Sequence, residues 1–130
     1  MTDSRLYDLT ATELTRLVQQ RELTATTVTE AFLDRIATHN PAINAIVTLV
    51  PEMAMAQAKA LDARIAQGEQ PGPLAGLPIA HKDLTETAGI RTTFGSPRFR
   101  DYVPDQSSLL VTRIQAAGGI TTGKTNTPEF

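Results

Sequence analysis

Apolar residues recur at helical spacing through the first half of the chain, and in short β-branched runs through the second. Thr10-Ala11-Thr12-Glu13 has the form of a capping box, a threonine cap with a glutamate three residues on. Leu14, Leu17 and Val18 follow on one face, which predicts a helix over about 11–21. Thr24 to Thr27 offer caps for a second helix, in which Val28, Phe32 and Ile36 recur every fourth residue beside Ala31. His39-Asn40-Pro41 should end it, because proline disfavours helical geometry in the residue before it. Residues 43–50 are apolar and β-branched and read as a strand. Residues 53–67 predict a third helix, with Ala54, Ala58, Leu61 and Ile65 inward and Gly68 as its stop.

The character changes near Gln70. Seven of the eight glycines lie beyond Gln70, and Pro71-Gly72-Pro73-Leu74-Ala75-Gly76 excludes regular structure. Leu77-Pro78-Ile79-Ala80-His81-Lys82 is short and mostly apolar, so it predicts a buried strand with Pro78 limiting pairing on one side. Residues 85–101 read as an extended loop with turns at Gly89 and Gly95-Ser96-Pro97. Asp105 is a candidate N-cap for a fourth helix over about 106–117, with Leu110, Val111, Ile114 and Ala117 inward and Gly118-Gly119 ending it. Ile120-Thr121-Thr122 reads as a strand, and Gly123 to Phe130 as an exit loop. The order strand, helix, strand predicts an α/β layered fold.

Charge and composition narrow the classes. Residues 1–70 carry a net charge of −3 and residues 71–130 a net charge of +1, giving −2 for the chain. That balance argues against a dedicated nucleic-acid or anionic-membrane binder. Cysteine is absent, which excludes disulfides, thiolate zinc sites and a cysteine nucleophile. No apolar run approaches a bilayer span and no secretory pattern opens the chain, so a cytoplasmic location is expected.

Lys82 is the first candidate for chemistry. It ends an apolar run, and an amine carried into a desolvated place loses its proton readily and becomes a general base. The plainer alternative is a lysine at a strand end that reaches solvent. Adjacent residues on a strand face opposite ways, so Asp83 need not pair with Lys82, and a turn-capping role fits it. His81 has no visible triad partner and reads as a packed residue with one hydrogen bond; His39 reads as a dipole partner at a helix C-terminus. Gly118-x-x-x-x-Gly123-Lys124-Thr125 formally fits a phosphate-binding loop, but Ile120 to Thr122 reads as strand and no helix follows, so nucleotide binding is not expected. The serines Ser4, Ser96, Ser107 and Ser108 lie in no Gly-x-Ser-x-Gly elbow; Ser96 reads as a turn residue, Ser107 and Ser108 as caps.

Several segments together carry a family likeness. Pro73-Leu74-Ala75-Gly76-Leu77-Pro78-Ile79-Ala80-His81-Lys82-Asp83-Leu84 closely resembles the lysine-bearing segment of the amidase signature family. Thr92-Thr93-Phe94-Gly95-Ser96 looks like that family's next loop, and Ala116 to Ile120 with Gly123 to Phe130 like its next strand and exit. The helical first part, with Asn44-Ala45-Ile46-Val47 after Asn40-Pro41, fits the family's N-terminal region. The resemblance implies a mixed β-sheet flanked by helices, of which this chain supplies the N-terminal helices and first strands. It implies hydrolysis of small-molecule amides through a Ser–cis-Ser–Lys triad, with Lys82 as the catalytic lysine and no metal or organic cofactor. No nucleic-acid or membrane partner is implied, and a homo-oligomer is allowed. The family's Gly/Ser-rich signature, with both serines and the oxyanion donors, falls beyond Phe130, and none of the four serines matches it. The expectation is therefore an N-terminal segment of one amidase domain, mainly helical over 1–70 and strand, loop and helix over 71–130, inactive alone. An amidase subunit of a tRNA-dependent amidotransferase shares the motif; a non-catalytic remnant or interaction module is the remaining alternative.

Overall fold

A computed structural model of the chain describes residues 3–130. A 3₁₀ segment, Asp3–Asp8, leads into α1 (Ala11–Gln19) and α2 (Ala25–Ile43), then β1 (Ile46–Leu49), α3 (Pro51–Ala66), β2 (Pro78–Lys82), a 3₁₀ turn at Pro97–Phe99, α4 (Leu109–Ala116) and β3 (Ile120–Thr125). The sheet order is β1-β3-β2, so the last strand is the central one. It runs antiparallel to β1 and parallel to β2, which makes the sheet mixed, as the family resemblance implies. Helix α3 packs on β3, and α2 packs on α3.

The N-terminal helices form for the reasons legible in the chain. Thr10 and Glu13 complete a reciprocal capping box on α1. The start of α2 has a second, long-range cap. Asp62 of α3 accepts from the Ala25 amide at 2.7 Å and the Thr26 amide at 2.9 Å. A carboxylate on these free N–H groups meets the positive end of the helix and ties α2 to α3. Leu14, Val18, Val28, Ala31, Ala54, Ala58, Leu61, Ile65 and Ile120 then close one core. Its small alanines let the helices approach closely.

Four elements differ in extent from the sequence reading. Helix α2 does not stop at Asn40; it runs through Pro41 to Ile43. Proline in a last turn removes one N–H but leaves the following residues free to stay helical. The end is set instead by Asn44, left-handed at φ 47°, and by Asn40, whose side chain brackets both Ile46 backbone groups at 2.9 Å. Strand β1 is accordingly shorter than residues 43–50. Helix α4 starts at Leu109 with Ser108, not Asp105, as its cap, and Leu110 faces solvent while Val111 is buried. Strand β3 continues through Gly123 and Lys124 to Thr125, where an exit loop is expected from the sequence. Ser107 caps elsewhere: its hydroxyl accepts from the Ala88 amide.

Gly123 is what lets β1 close on β3. A Cβ there would lie 2.2 Å from the Thr48 carbonyl oxygen, a backbone atom that cannot step aside alone. Replacing Gly123 with alanine is expected to destabilise the chain by about 3 kcal/mol, as an overpacked site does. Urea unfolding of the two proteins measures it; equal midpoints would show that β1 does not pack as described.

Candidate active site

The end of β2 splits into two faces. Lys82 is exposed, whereas Asp83 is 1% exposed, as strand alternation requires. Asp83 does more than cap a local turn. Its carboxylate accepts from the Thr93 amide at 3.1 Å and from the Thr93 hydroxyl, ten residues on. Its backbone holds both neighbours, donating to the Thr125 carbonyl at 3.1 Å and accepting from the Phe94 amide at 2.9 Å. The loop after Lys82 is thus folded back on the residue that follows it.

The lysine that enters a desolvated place is Lys124, not Lys82. It is fully buried in the central strand. Its amine donates to the Thr85 carbonyl at 2.5 Å and to the Thr92 hydroxyl at 2.7 Å, and lies 3.8 Å from Asp83 Oδ1. The last distance is a charge–charge approach rather than a hydrogen bond. Burial pulls the Lys124 amine below the ordinary lysine range, while the charges of Asp83 and Glu86 push it back up. The signal for this was available: a strand that continues past Ile120-Thr121-Thr122 carries Lys124 into the sheet. The likeness of Gly123-Lys124-Thr125 to a phosphate loop draws attention away from it, and in the structure these residues are strand.

His81 is packed, as expected. It is 5% exposed, with Nε2 3.2 Å from the Thr121 hydroxyl, which in turn accepts from Gln115 Nε2 at 3.0 Å. A hydroxyl already accepting has its own proton left to give, which suits a neutral imidazole. Burial first, and the charge of Lys124 second, hold the His81 pKa below its ordinary value.

Beyond Asp83 the loop turns tightly. Phe94 and Gly95 are both left-handed, at φ 53° and 68°. A Cβ on Gly95 would meet the Pro128 carbonyl oxygen at 2.5 Å, so the loop and the end of the chain touch backbone to backbone. The Phe130 amide donates to the Phe94 carbonyl at 2.8 Å, and Phe94, Phe99, Tyr102 and Phe130 cluster around this crossing. An open cleft of about 480 Å³ lies beside it, lined by Asp83, Arg91, Thr93, Ser96, Arg100 and Thr127. Ser96 takes its turn role through its backbone, while its buried hydroxyl has no hydrogen-bond partner. Among the described residues no hydroxyl bonds to the Lys82 amine, and no group of three His, Asp or Glu side chains is placed to hold a metal ion. No described helix is long and apolar enough to cross a membrane.

The helix-covered mixed sheet is a fold shared with solved amide-processing enzymes. The family model described as Amidase matches residues 27–130, and the chain belongs to that family. It is 44% identical over 125 residues to a glutamyl-tRNA(Gln) amidotransferase subunit from Carboxydothermus hydrogenoformans, covering 96% of this chain and 26% of that protein. Its fold superposes on the native peptide amidase of Stenotrophomonas maltophilia with a TM-score of 0.84 at 34% identity, over 92% of this chain and 25% of that one. A TM-score of 0.89 at 34% identity relates it to a chain of a vestigial protein complex that reveals the origins of an s-triazine catabolic enzyme, over 93% of this chain and 27% of that one. The chain spans about a quarter of the length of the relatives it matches.

Because His81 is held neutral by its surroundings, the unfolded chain takes up a proton there first. Stability therefore falls as pH drops through the unfolded histidine value, near 6.5, and is unaffected by His81 above it. Urea midpoints measured at pH 7.5 and pH 5.5 are expected to fall more for the wild type than for His81→Gln. An equal fall in both would place the imidazole in water.

Proposed function

We propose that this chain is the N-terminal segment, residues 1–130, of one catalytic domain that cleaves carboxylic amides, with Lys82 as its general base. The observation that supports this most is the lysine motif itself. It sits where β2 ends, with Lys82 on the open face and its backbone fixed from behind by Asp83 and Thr125. In this reading the remainder of a longer protein covers that face and supplies the serines. Covering it takes the amine out of water, which is the physical route by which a lysine becomes a base. Lys82 then accepts, through a bridging serine, the proton of the attacking hydroxyl as its oxygen bonds to the amide carbon. It helps return that proton to the departing nitrogen when the C–N bond breaks.

A second reading has its own support. The 44% identity to an amidotransferase component favours a domain whose released ammonia is passed to an acceptor, in a protein that works with partner chains. Both readings use the same base and a small-molecule amide, and a cytoplasmic location goes with both. They differ in the fate of the nitrogen.

The test uses residues 1–130 joined to the remaining length of the Carboxydothermus hydrogenoformans protein, with glutamine as substrate and ammonia as readout. The chimera is expected to release ammonia, and Lys82→Ala to lower kcat by about 100- to 10,000-fold, the range for a general base. The 130-residue chain alone is expected to show no turnover above its own Lys82→Ala control. A chimera that keeps its kcat without Lys82 would refute the assignment.

A further inference from the structure

We propose that Lys124 is a positioning residue for Lys82: a buried cation that fixes the turn following β2, and through it the point from which the Lys82 side chain leaves the sheet. The inference rests on the reading of Lys82 as the base.

The geometry carries it. Lys124 sits beside His81 in the register of β3 against β2, one position before the pair Lys82 and Thr125. Its amine reaches over the end of β2 and binds both arms of the following loop, the outgoing arm at the Thr85 carbonyl and the returning arm at the Thr92 hydroxyl. Between those arms Asp83 is locked to Thr93, and the Thr85 amide closes back on the Lys82 carbonyl at 2.9 Å. The Lys82 carbonyl is thus one partner removed from the Lys124 amine, through Thr85, while the Asp83 amide is held by the Thr125 carbonyl. Ile90 is the loop's one large, fully buried apolar anchor, and Thr85, Thr87, Thr92 and Thr93 make up much of the rest.

Burying a cation in a central strand is a poor way to gain stability. Desolvation opposes it, and an apolar side chain of the same length would fill the space at less cost. What a lysine adds is a set of donors that, once buried, must find oxygens, here the Thr85 carbonyl and the Thr92 hydroxyl. Those oxygens belong to the turn that carries Asp83 next to Lys82. The charge of Asp83 is also neutralised from within, so the carboxylate does not draw the Lys82 amine toward it across the strand.

Two measurements on Lys124→Met test this. In the 130-residue chain, amide hydrogen exchange at Thr93 and Phe94 is expected to speed up at least tenfold more than exchange in α2 and α3. A residue that only supports the fold as a whole would lower protection everywhere alike. In the ammonia-releasing chimera, kcat per folded molecule is expected to fall at least tenfold with KM within twofold. Adding Lys82→Ala to Lys124→Met is then expected to cost much less than adding it to the wild type, since a base already out of place has less to lose. Should Lys124→Met fail to fold because Asp83 is left buried and unpaired, the neutral pair Lys124→Met with Asp83→Asn takes its place in both measurements. Unchanged exchange at Thr93 and Phe94, or losses that simply multiply, would overturn the positioning role while leaving Lys82 as base. A Lys82→Ala chimera of full activity would instead overturn the base itself.

Discussion

The meeting of Lys124 with Asp83 inside the sheet is the constraint around which the second half of this chain is arranged. Neither charge has water to fall back on. Each must therefore be satisfied by groups whose positions the chain has to supply: the Thr85 carbonyl and Thr92 hydroxyl for the amine, the Thr93 amide and hydroxyl for the carboxylate. These partners are the two arms of one loop. A stretch that would otherwise be loose polar chain becomes a fixed turn because two buried ions require it. The left-handed pair Phe94 and Gly95, and the crossing of that loop by Pro128 to Phe130, follow from where the turn is held.

The first half supplies a platform. Its stability comes from alanine-rich helix packing and from Asp62 capping α2 across to α3, and it holds β3 from one side. Gln57 on α3 accepts from the Thr121 amide at 2.9 Å, so even the backbone of β3 is partly satisfied by the helix over it. The strand that ends in Lys82, β2, is then an edge of the sheet, paired on one side only. That open edge lies beside the exposed Lys82, in a chain that spans about a quarter of its relatives' length.

Much of this was legible in the residues. Helix faces, the capping box and the inward alanines follow from spacing and cap chemistry, which are local. Strand alternation separated Lys82 from Asp83. The motif around Lys82 gave the family. The misplaced features depend on contacts beyond neighbouring residues. Helix α2 ends past Pro41, where Asn40 holds Ile46, and α4 begins at Ser108, whose amide donates to the Glu86 carbonyl. Lys124 was hidden for the same reason. Its burial depends on Asp83, far earlier in the chain, and its neighbours Gly123 and Thr125 carry a stronger local likeness to a phosphate loop. The exit of β3 could be read only by seeing that Gly123 admits the Thr48 carbonyl.

A double-mutant cycle on the stability of the 130-residue chain tests the account at its centre. Lys124→Met strands the carboxylate, Asp83→Asn strands the amine, and the two together strand neither. Each single change is expected to cost about 3 kcal/mol, as breaking a buried pair does, and the double change is expected to cost no more than either alone. Losses that add in the double variant would show that the two charges are not joined, and the arrangement of the loop around them would need another cause.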